Sequence, residues 1–273
     1  MGLFGSKENP EDLMYHAMSF MEKNQPKAAI SLFNKIIKQD SQNTSAIFNK
    51  GLALNQIKKY GDAVTCFDTL LQINPKDSQA FNNKGIAMAE MGDTQAANEC
   101  YDNAIKSDPK NSASYFNKGV LLDRLQEYDE ALEFLDKAIS ADSKKPNAVF
   151  YKGIVLGKMK KHDEALNCFE TVCKKYPSHI DALFHKGIEL AELDRHEKAI
   201  EIFDQMLSKH KDNIKILYAK SRSKAALGEY EESLDLLRKA VSIDGKTIRE
   251  WAKKEKIFQK FHDIEQFRKL VKL

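Results

Sequence analysis

Polar and apolar positions along this chain recur with a fixed period of 34 residues. The tetrapeptide Phe-Asn-Lys-Gly at 116–119 has counterparts at this interval, with related residues at 48–51, 82–85, 150–153 and 184–187. Fainter copies fall at 14–17 and 218–221. A fixed period of roughly 20–50 residues indicates a repeat array, in which each repeat is a small unit that stacks on the next.

Placing the recurrent glycine at the eighth place divides residues 10–247 into seven repeats without insertions. The repeats start at Pro10, Thr44, Ser78, Ser112, Pro146, Ile180 and Ile214. Apolar or small residues take the fourth, eighth and eleventh places, and again the twentieth, twenty-fourth and twenty-seventh. Because each set lies on one face of a helix, every repeat is predicted to contain two helices, helix A and then helix B, joined by a short polar turn.

Small residues predict how the two helices of a repeat meet. The eighth place is Gly in five repeats, and the twentieth is Ala in six. These residues allow a close approach, and the large residue at the twenty-fourth place, such as Phe67 or Phe169, fills the space beside them. A single helix pair cannot bury both of its faces, so the pairs must stack, which predicts an all-α array.

This pattern resembles the tetratricopeptide repeat family over residues 10–247. The resemblance implies a right-handed superhelical solenoid of antiparallel helix pairs with a concave groove. One departure is the Lys at the seventh place, where the family commonly has an apolar residue, and the Asn-Lys-Gly sequence is similar to a variant of prokaryotic arrays. We expect a flexible leader at 1–9, seven repeats at 10–247 and capping helices at 248–273.

The predicted cap follows the last repeat. Continuing the frame places Trp251 at the fourth place and Phe258 at the eleventh, so a further helix A is predicted. A terminal helix would cover the open end of the core, as repeat arrays require for solubility. Lys224 occupies the eleventh place of the seventh repeat, which is normally buried. The sequence therefore does not determine how the seventh repeat packs.

Composition narrows the function classes. The net charge of +3 is too small to indicate a nucleic-acid partner. We therefore expect no nucleic-acid binding. The four cysteines are interpreted as reduced thiols of a cytoplasmic protein. No apolar run approaches the ~18 residues of a membrane span. The first residues do fit the pattern for N-myristoylation at Gly2, so a membrane-tethered adaptor is an alternative.

The resemblance also implies which residues face the groove, namely the second, fifth, sixth, ninth, twelfth and thirteenth places of helix A. Fifth and ninth places form an i,i+4 couple of aromatic and aliphatic residues in most repeats. Stacked couples predict an apolar stripe suited to a peptide with apolar anchors. The predicted groove residues are Phe48, Asn49, Asn83, Ile86, Phe116, Asn117, Val120, Phe150, Ile154, Phe184, Ile188, Lys215 and Arg222.

The sequence is compatible with several alternatives. The stripe would instead be core if each Phe only covers its neighbour. A chaperone-tail clamp is suggested by Asn49, Asn83 and Asn117, but the ninth place is apolar where that clamp uses Asn. Lys215 with Arg222 would suit an acidic peptide end. The lysines at the seventh place form either a phosphate track or, with their stems on apolar surface, pairs with nearby carboxylates.

Signals for enzymatic chemistry are poor. Residues 244–247 end like a phosphate loop but lack its first glycine and a preceding strand. His162, Cys168, Cys173, His179 and His185 do not match metal-ligand spacing. We therefore predict a non-catalytic scaffold or adaptor without a cofactor that binds a protein or peptide, with the partner's identity and the oligomeric state left open.

Overall fold

Helix boundaries fall at the same places of each repeat. A computed structural model describes residues 9–272, so Gly2 and the myristoylation hypothesis lie outside the described residues. The first residues of helix A in the seven repeats are the predicted repeat starts. The first four repeats comprise α1 Pro10–Glu22, α2 Pro26–Gln39, α3 Thr44–Gln56, α4 Tyr60–Ile73, α5 Ser78–Met91, α6 Thr94–Ser107, α7 Ser112–Arg124 and α8 Tyr128–Ala141.

The remaining helices are α9 Pro146–Lys158, α10 His162–Lys175, α11 Ile180–Glu192, α12 His196–Lys209, α13 Ile214–Ala226, α14 Tyr230–Ile243, α15 Gly245–Lys254, a 3₁₀ helix Lys256–Phe261 and α16 Glu265–Val271. The described residues contain no strand. The prediction of an all-α fold built from helix pairs is therefore confirmed.

Capping residues explain these boundaries. The side chain before helix A accepts a backbone N–H from the first turn at Asn43, Asp77, Asn111, His179 and Asn213. This contact satisfies a donor that has no partner within the helix. The fifteenth place, between the helices, has a positive φ in all seven repeats, at Asn24, Lys58, Gly92, Gln126, Lys160, Asp194 and Gly228. A left-handed residue there ends helix A and turns the chain sharply into helix B.

The chain divides into two compact units, residues 1–145 and 146–273. In the N-terminal unit, the twenty-fourth-place residues Phe33, Phe67, Tyr101 and Leu135 are buried. They lie against the small eighth-place residues, as predicted. A Cβ added at Gly51 would come within 2.7 Å of the Phe67 ring, and one at Gly85 within 2.6 Å of the Tyr101 ring.

The C-terminal unit repeats this arrangement and ends in a cap. Phe169, Phe203 and Leu237 are fully buried at the twenty-fourth place. Beyond them, Phe258 and Phe261 of the 3₁₀ helix and Phe267 of α16 form a ring cluster that packs with Leu237 and Leu217. The terminal helices therefore contribute three aromatic side chains to the core of this unit.

The register of the cap differs from the prediction. Helix α15 starts at Gly245, three residues before 248, because the Asp244 side chain accepts the backbone N–H of Thr247 and caps the helix. Counted from Gly245, Ile248 and Ala252 take the fourth and eighth places, and both are fully buried. Trp251 is 36% exposed, so its assignment to the buried fourth place was wrong. Phe258 is buried but lies on the 3₁₀ helix.

Lys224 remains compatible with helix packing. Its ammonium group reaches the carboxylates of Glu229 and Glu232, at the turn and the start of α14. These hydrogen bonds raise the pKa of Lys224. The long side chain therefore leaves the core at the edge of the repeat.

Candidate functional site

The predicted groove residues at the fifth place are neither core nor fully exposed. Phe48, Phe116, Phe150 and Phe184 are half-buried. Three of these rings contact the twenty-fourth-place ring of their own repeat, with centroid distances of 6.1 Å for Phe48–Phe67, 5.7 Å for Phe150–Phe169 and 6.2 Å for Phe184–Phe203. Each ring thus uses part of its surface for packing and leaves part accessible.

In the N-terminal unit, the predicted Asn residues are engaged within the protein. Asn49 Nδ2 donates to Ser45 O at 2.9 Å and Asn83 Nδ2 to Gln79 O at 2.8 Å, both within one turn. Asn117 Nδ2 donates to Oδ1 of the buried Asn82 at 2.8 Å. Asn82 takes the fifth place, where five of the other six repeats have an aromatic residue. Asn117 provides the hydrogen-bond partner that the burial of Asn82 requires.

A small cavity of about 70 Å³ lies between α5 and α7 of the N-terminal unit. The predicted residues Ile86, Asn117 and Val120 line it together with Tyr101. An ion pair between Arg124 Nη1 and Glu90 Oε1, at 2.9 Å, borders the cavity. The structure therefore brings three of the predicted residues of this unit together.

Two larger cavities border the A helices of the C-terminal unit, and residues of B helices and turns complete their walls. One of about 620 Å³ is lined by Phe184, His185 and Lys215 with the exposed Ile180 and Ile243. The other, of about 630 Å³, is lined by Ile154 and Ile188 with charged residues. His185 borders both cavities, and burial lowers its pKa. It lies against the Phe150 and Phe169 rings with centroid distances of 5.7 and 5.3 Å.

A buried glutamate that pairs with a half-buried histidine borders the second of these cavities. His162 Nδ1 lies 2.8 Å from Glu189 Oε2, and only 7% of the Glu189 side chain is exposed. Burial raises the Glu189 pKa, which the hydrogen bond from His162 opposes. Glu189 was not among the residues predicted from the sequence. The feature of the sequence that could have identified it is a carboxylate at the tenth place, where the neighbouring repeats have Val155 and Ser223.

Lys215 and Arg222 do not line a common cavity. Lys215 borders the cavity of Phe184. Arg222 borders a third cavity of the C-terminal unit, of about 360 Å³, with Glu192. Its guanidinium lies 3.1 Å from Glu192 Oε1 and 2.9 Å from Glu255 Oε2, so two carboxylates of the same chain already surround this cation.

Comparison with known families decides the classification. The tetratricopeptide repeat models match residues 16–78, 82–146 and 214–247. The chain belongs to the tetratricopeptide repeat family. A further model, described as anaphase-promoting complex, cyclosome, subunit 3, matches residues 124–206. No match was found among the curated proteins.

Solved structures of other tetratricopeptide repeat proteins share the fold. One from Parabacteroides merdae is 17% identical, with a TM-score of 0.64, over 98% of this chain and 100% of that protein. The type IV pilus biogenesis factor PilW is 17% identical, with a TM-score of 0.68, over 76% and 96%. YrrB, described as a TPR protein with an unusual peptide-binding site, is 24% identical, with a TM-score of 0.54, over 69% and 97%. The predicted helical solenoid is confirmed.

The unusual seventh-place lysines of this tetratricopeptide repeat protein have carboxylate partners. Lys84 lies 2.6 Å from Asp68 and Lys186 lies 3.0 Å from Glu170. Lys118 pairs with Asp102 in the same way, and Lys220 with Asp204. In each pair the acid is at the twenty-fifth place of the preceding repeat. At these four positions the lysines join successive repeats, which supports ion pairing over a phosphate track.

Residues 9–272 contain no group of three or more His, Cys, Asp or Glu side chains placed to hold a metal ion. None of the described helices is both long and apolar enough to span a membrane. Burial raises the thiol pKa of Cys66, Cys100 and Cys173, which makes these groups poor nucleophiles at neutral pH.

Proposed function

We propose that this protein is a non-catalytic cytoplasmic scaffold or adaptor that binds a peptide or protein segment along the A helices. Tetratricopeptide repeat proteins are generally scaffolds for protein interactions. The observation that carries the proposal is the set of cavities at the predicted groove places. Ile86 and Val120 border one in the N-terminal unit, and Ile154, Phe184 and Ile188 border those of the C-terminal unit.

These surfaces suit a peptide segment that has apolar anchor residues separated by polar residues. Half-buried aromatic and aliphatic side chains provide apolar contact area, and the surrounding amide and charged groups provide hydrogen bonds. Grooves that bind peptide segments commonly receive apolar anchor side chains of the segment. A chaperone-tail clamp has less support, because Asn49, Asn83 and Asn117 donate their amide hydrogens within the chain.

Affinity purification with crosslinking from the native source tests the proposal. We expect a stoichiometric protein partner whose crosslinks map to the A helices. The variant pair Val120→Glu and Ile154→Glu should lose most of this partner, because each places a charge on a cavity wall. Circular dichroism should show unchanged helix content in the variants.

The control is Ile73→Glu, since Ile73 is 40% exposed at the end of a B helix and borders none of the cavities described above. This variant should retain the partner. Retention of the partner by the folded Val120→Glu and Ile154→Glu protein would refute binding along the A helices.

A further inference from the structure

The seventh repeat differs from the two before it at the predicted groove places. Its fifth and ninth places are Tyr218 and Arg222, whereas the sixth repeat has Phe184 and Ile188 there. The fifth repeat likewise has a phenylalanine and an isoleucine at these places. In the seventh repeat, a hydroxyl and a guanidinium therefore provide hydrogen-bond donors and a positive charge where the neighbouring repeats provide only apolar contact.

Aromatic side chains of the cap are seated on this Tyr218–Arg222 couple. The Tyr218 ring contacts Trp251 at a centroid distance of 5.3 Å and Phe258 at 5.9 Å, and both contacts are T-shaped. Trp251 belongs to α15, and Phe258 belongs to the 3₁₀ helix. Edge-to-face ring pairs contribute stabilisation beyond the burial of their area. Two elements of the cap thus hold the fifth-place ring of the seventh repeat.

A carboxylate of the cap completes the contact. Glu255 is the residue with extended backbone between α15 and the 3₁₀ helix. Its side chain accepts a hydrogen bond from the Tyr218 hydroxyl, and its Oε2 lies 2.9 Å from Arg222 Nε. Burial raises the pKa of Tyr218, and the Glu255 charge raises it further, so the hydroxyl stays a donor at neutral pH. The two polar groups of the couple therefore share one carboxylate.

The charge at Arg222 favours an acidic group over an apolar or basic one. Glu192 of the sixth repeat also approaches Arg222, with 3.1 Å between Oε1 and Nη2. Glu255 approaches a different nitrogen, Nε, of the same guanidinium. A planar guanidinium can interact with two carboxylates through separate N–H groups. The position of Glu255 is therefore a carboxylate site of its own.

Two of the three seated side chains are partly accessible to solvent. Trp251 is 36% exposed, and the Glu255 side chain is 22% exposed. Each can leave the couple by rotation about its own side-chain bonds. Phe258 is fully buried with Phe261 and Phe267, and neither Trp251 nor Glu255 belongs to that cluster. Replacement of the two accessible side chains therefore leaves the core of the cap intact.

We propose that Trp251 and Glu255 are an internal ligand of the seventh repeat, and that the bound segment displaces them with an aromatic side chain and a carboxylate. The partner is thus a helical segment in which an aromatic residue is followed four residues later by an Asp or Glu, the spacing of Trp251 and Glu255. This inference rests on the proposed function, since the segment bound along the A helices supplies the two side chains.

The fluorescence of Trp251 reports on the internal ligand directly, because it is the single tryptophan of the chain. The probe is an acetylated and amidated peptide that copies residues 248–258, with phenylalanine in place of the tryptophan. Titration into the full chain should move the Trp251 emission to longer wavelength and increase its quenching by acrylamide, in a saturable manner. A matched peptide with glutamine in place of the second glutamate should need about a tenfold higher concentration.

Variants of the full chain connect this signal to the carboxylate site. Glu255→Gln weakens the internal ligand without changing its size, so the probe peptide should bind about tenfold more tightly to this variant than to the parent protein. The control is Glu265→Gln, which removes a carboxylate from the exposed ion pair with Lys269 in α16. This control should bind the peptide like the parent protein.

Three results would overturn the proposal: no saturable change of Trp251 emission in either the parent or Glu255→Gln, equal binding of the two peptides, or equal affinity of the parent and Glu255→Gln. The first would mean that Trp251 and Glu255 are fixed parts of the cap. The Val120→Glu and Ile154→Glu substitutions lie outside the seventh repeat and are read out with the native partner. Failure of the internal ligand and failure of segment binding are therefore distinguishable.

Discussion

At the scale of single residues, the turn between helices carries backbone strain. The fifteenth place adopts a left-handed conformation in every repeat, yet only Gly92 and Gly228 are glycines. Other residues pay a steric cost in this conformation.

Replacing Lys58 by glycine should therefore stabilise the protein. We expect Lys58→Gly to raise the free energy of unfolding by about 0.5–1 kcal/mol, measured by denaturant titration. The control is Lys137→Gly, which removes the same charge within α8 and should cost about 1 kcal/mol. Destabilisation by both substitutions would contradict the assignment of strain to the turn.

The eighth-place glycines provide a second residue-level prediction. Gly51→Ala should destabilise the protein by about 1–3 kcal/mol, because the new Cβ would come within 2.7 Å of the Phe67 ring. In the same repeat, Gly61 has nothing within 4 Å of an added Cβ. Gly61→Ala should instead stabilise helix α4 by up to about 1 kcal/mol. Thermal unfolding of both variants checks the opposite signs.

The raised pKa of Glu189 predicts that the free energy of unfolding depends on pH. Its folded-state pKa is raised, mainly by burial, so its contribution to stability is present below pH 4.5 and is lost as the pH rises through the higher folded value. Glu189→Gln should therefore gain stability relative to the parent protein between pH 4 and 7, in denaturant titrations at several pH values.

Glu232 serves as the opposite control. Its pKa is lowered by the hydrogen bond with Lys224, so its contribution is present above pH 4.5 and is lost as the pH falls. Glu232→Gln should lose stability relative to the parent as the pH rises to 4.5, with no further change between pH 4.5 and 7. Equal slopes for both variants would contradict the assignment.

At the scale of helices, periodicity predicted the seven A helices and their first residues, because the packing places recur without insertion. Periodicity did not predict the start of α15, because this helix begins at Gly245, three residues before the position given by the 34-residue frame. Residues 244–247 were compared only with a phosphate loop, although an Asp before a helix is also an N-cap. The pairing of Glu189 with His162 was not predictable, because the two residues belong to different repeats and only the fold brings them together.

The cap supports a prediction at this scale. Removing residues 245–273 should expose the apolar surface of Leu237 and Leu217 that packs with the Phe258–Phe261–Phe267 cluster. We expect a lower melting temperature and self-association, measured by circular dichroism and light scattering. Removal of residues 272–273 alone should change neither property. A truncated chain that remains monomeric with its melting temperature unchanged would show that the cap is dispensable.

At the scale of the whole molecule, each compact unit has its own buried core. The C-terminal unit contains three repeats and the cap, and neighbouring helix pairs supply most of the stability of such arrays. Residues 146–273 expressed alone should therefore give a helical protein with a cooperative thermal transition. A gradual loss of helix signal without a transition would contradict this prediction.

The lysine–carboxylate pairs between successive repeats have a consequence for changes in chain length. Both members recur every 34 residues, so deletion of one whole repeat, such as 78–111, would place Lys118 at the spacing from Asp68 that Lys84 now has. Insertion of a duplicated repeat would match partners in the same way. An array with this junction can gain or lose repeats by duplication and deletion, whereas an insertion of any other length would separate each cation from its carboxylate.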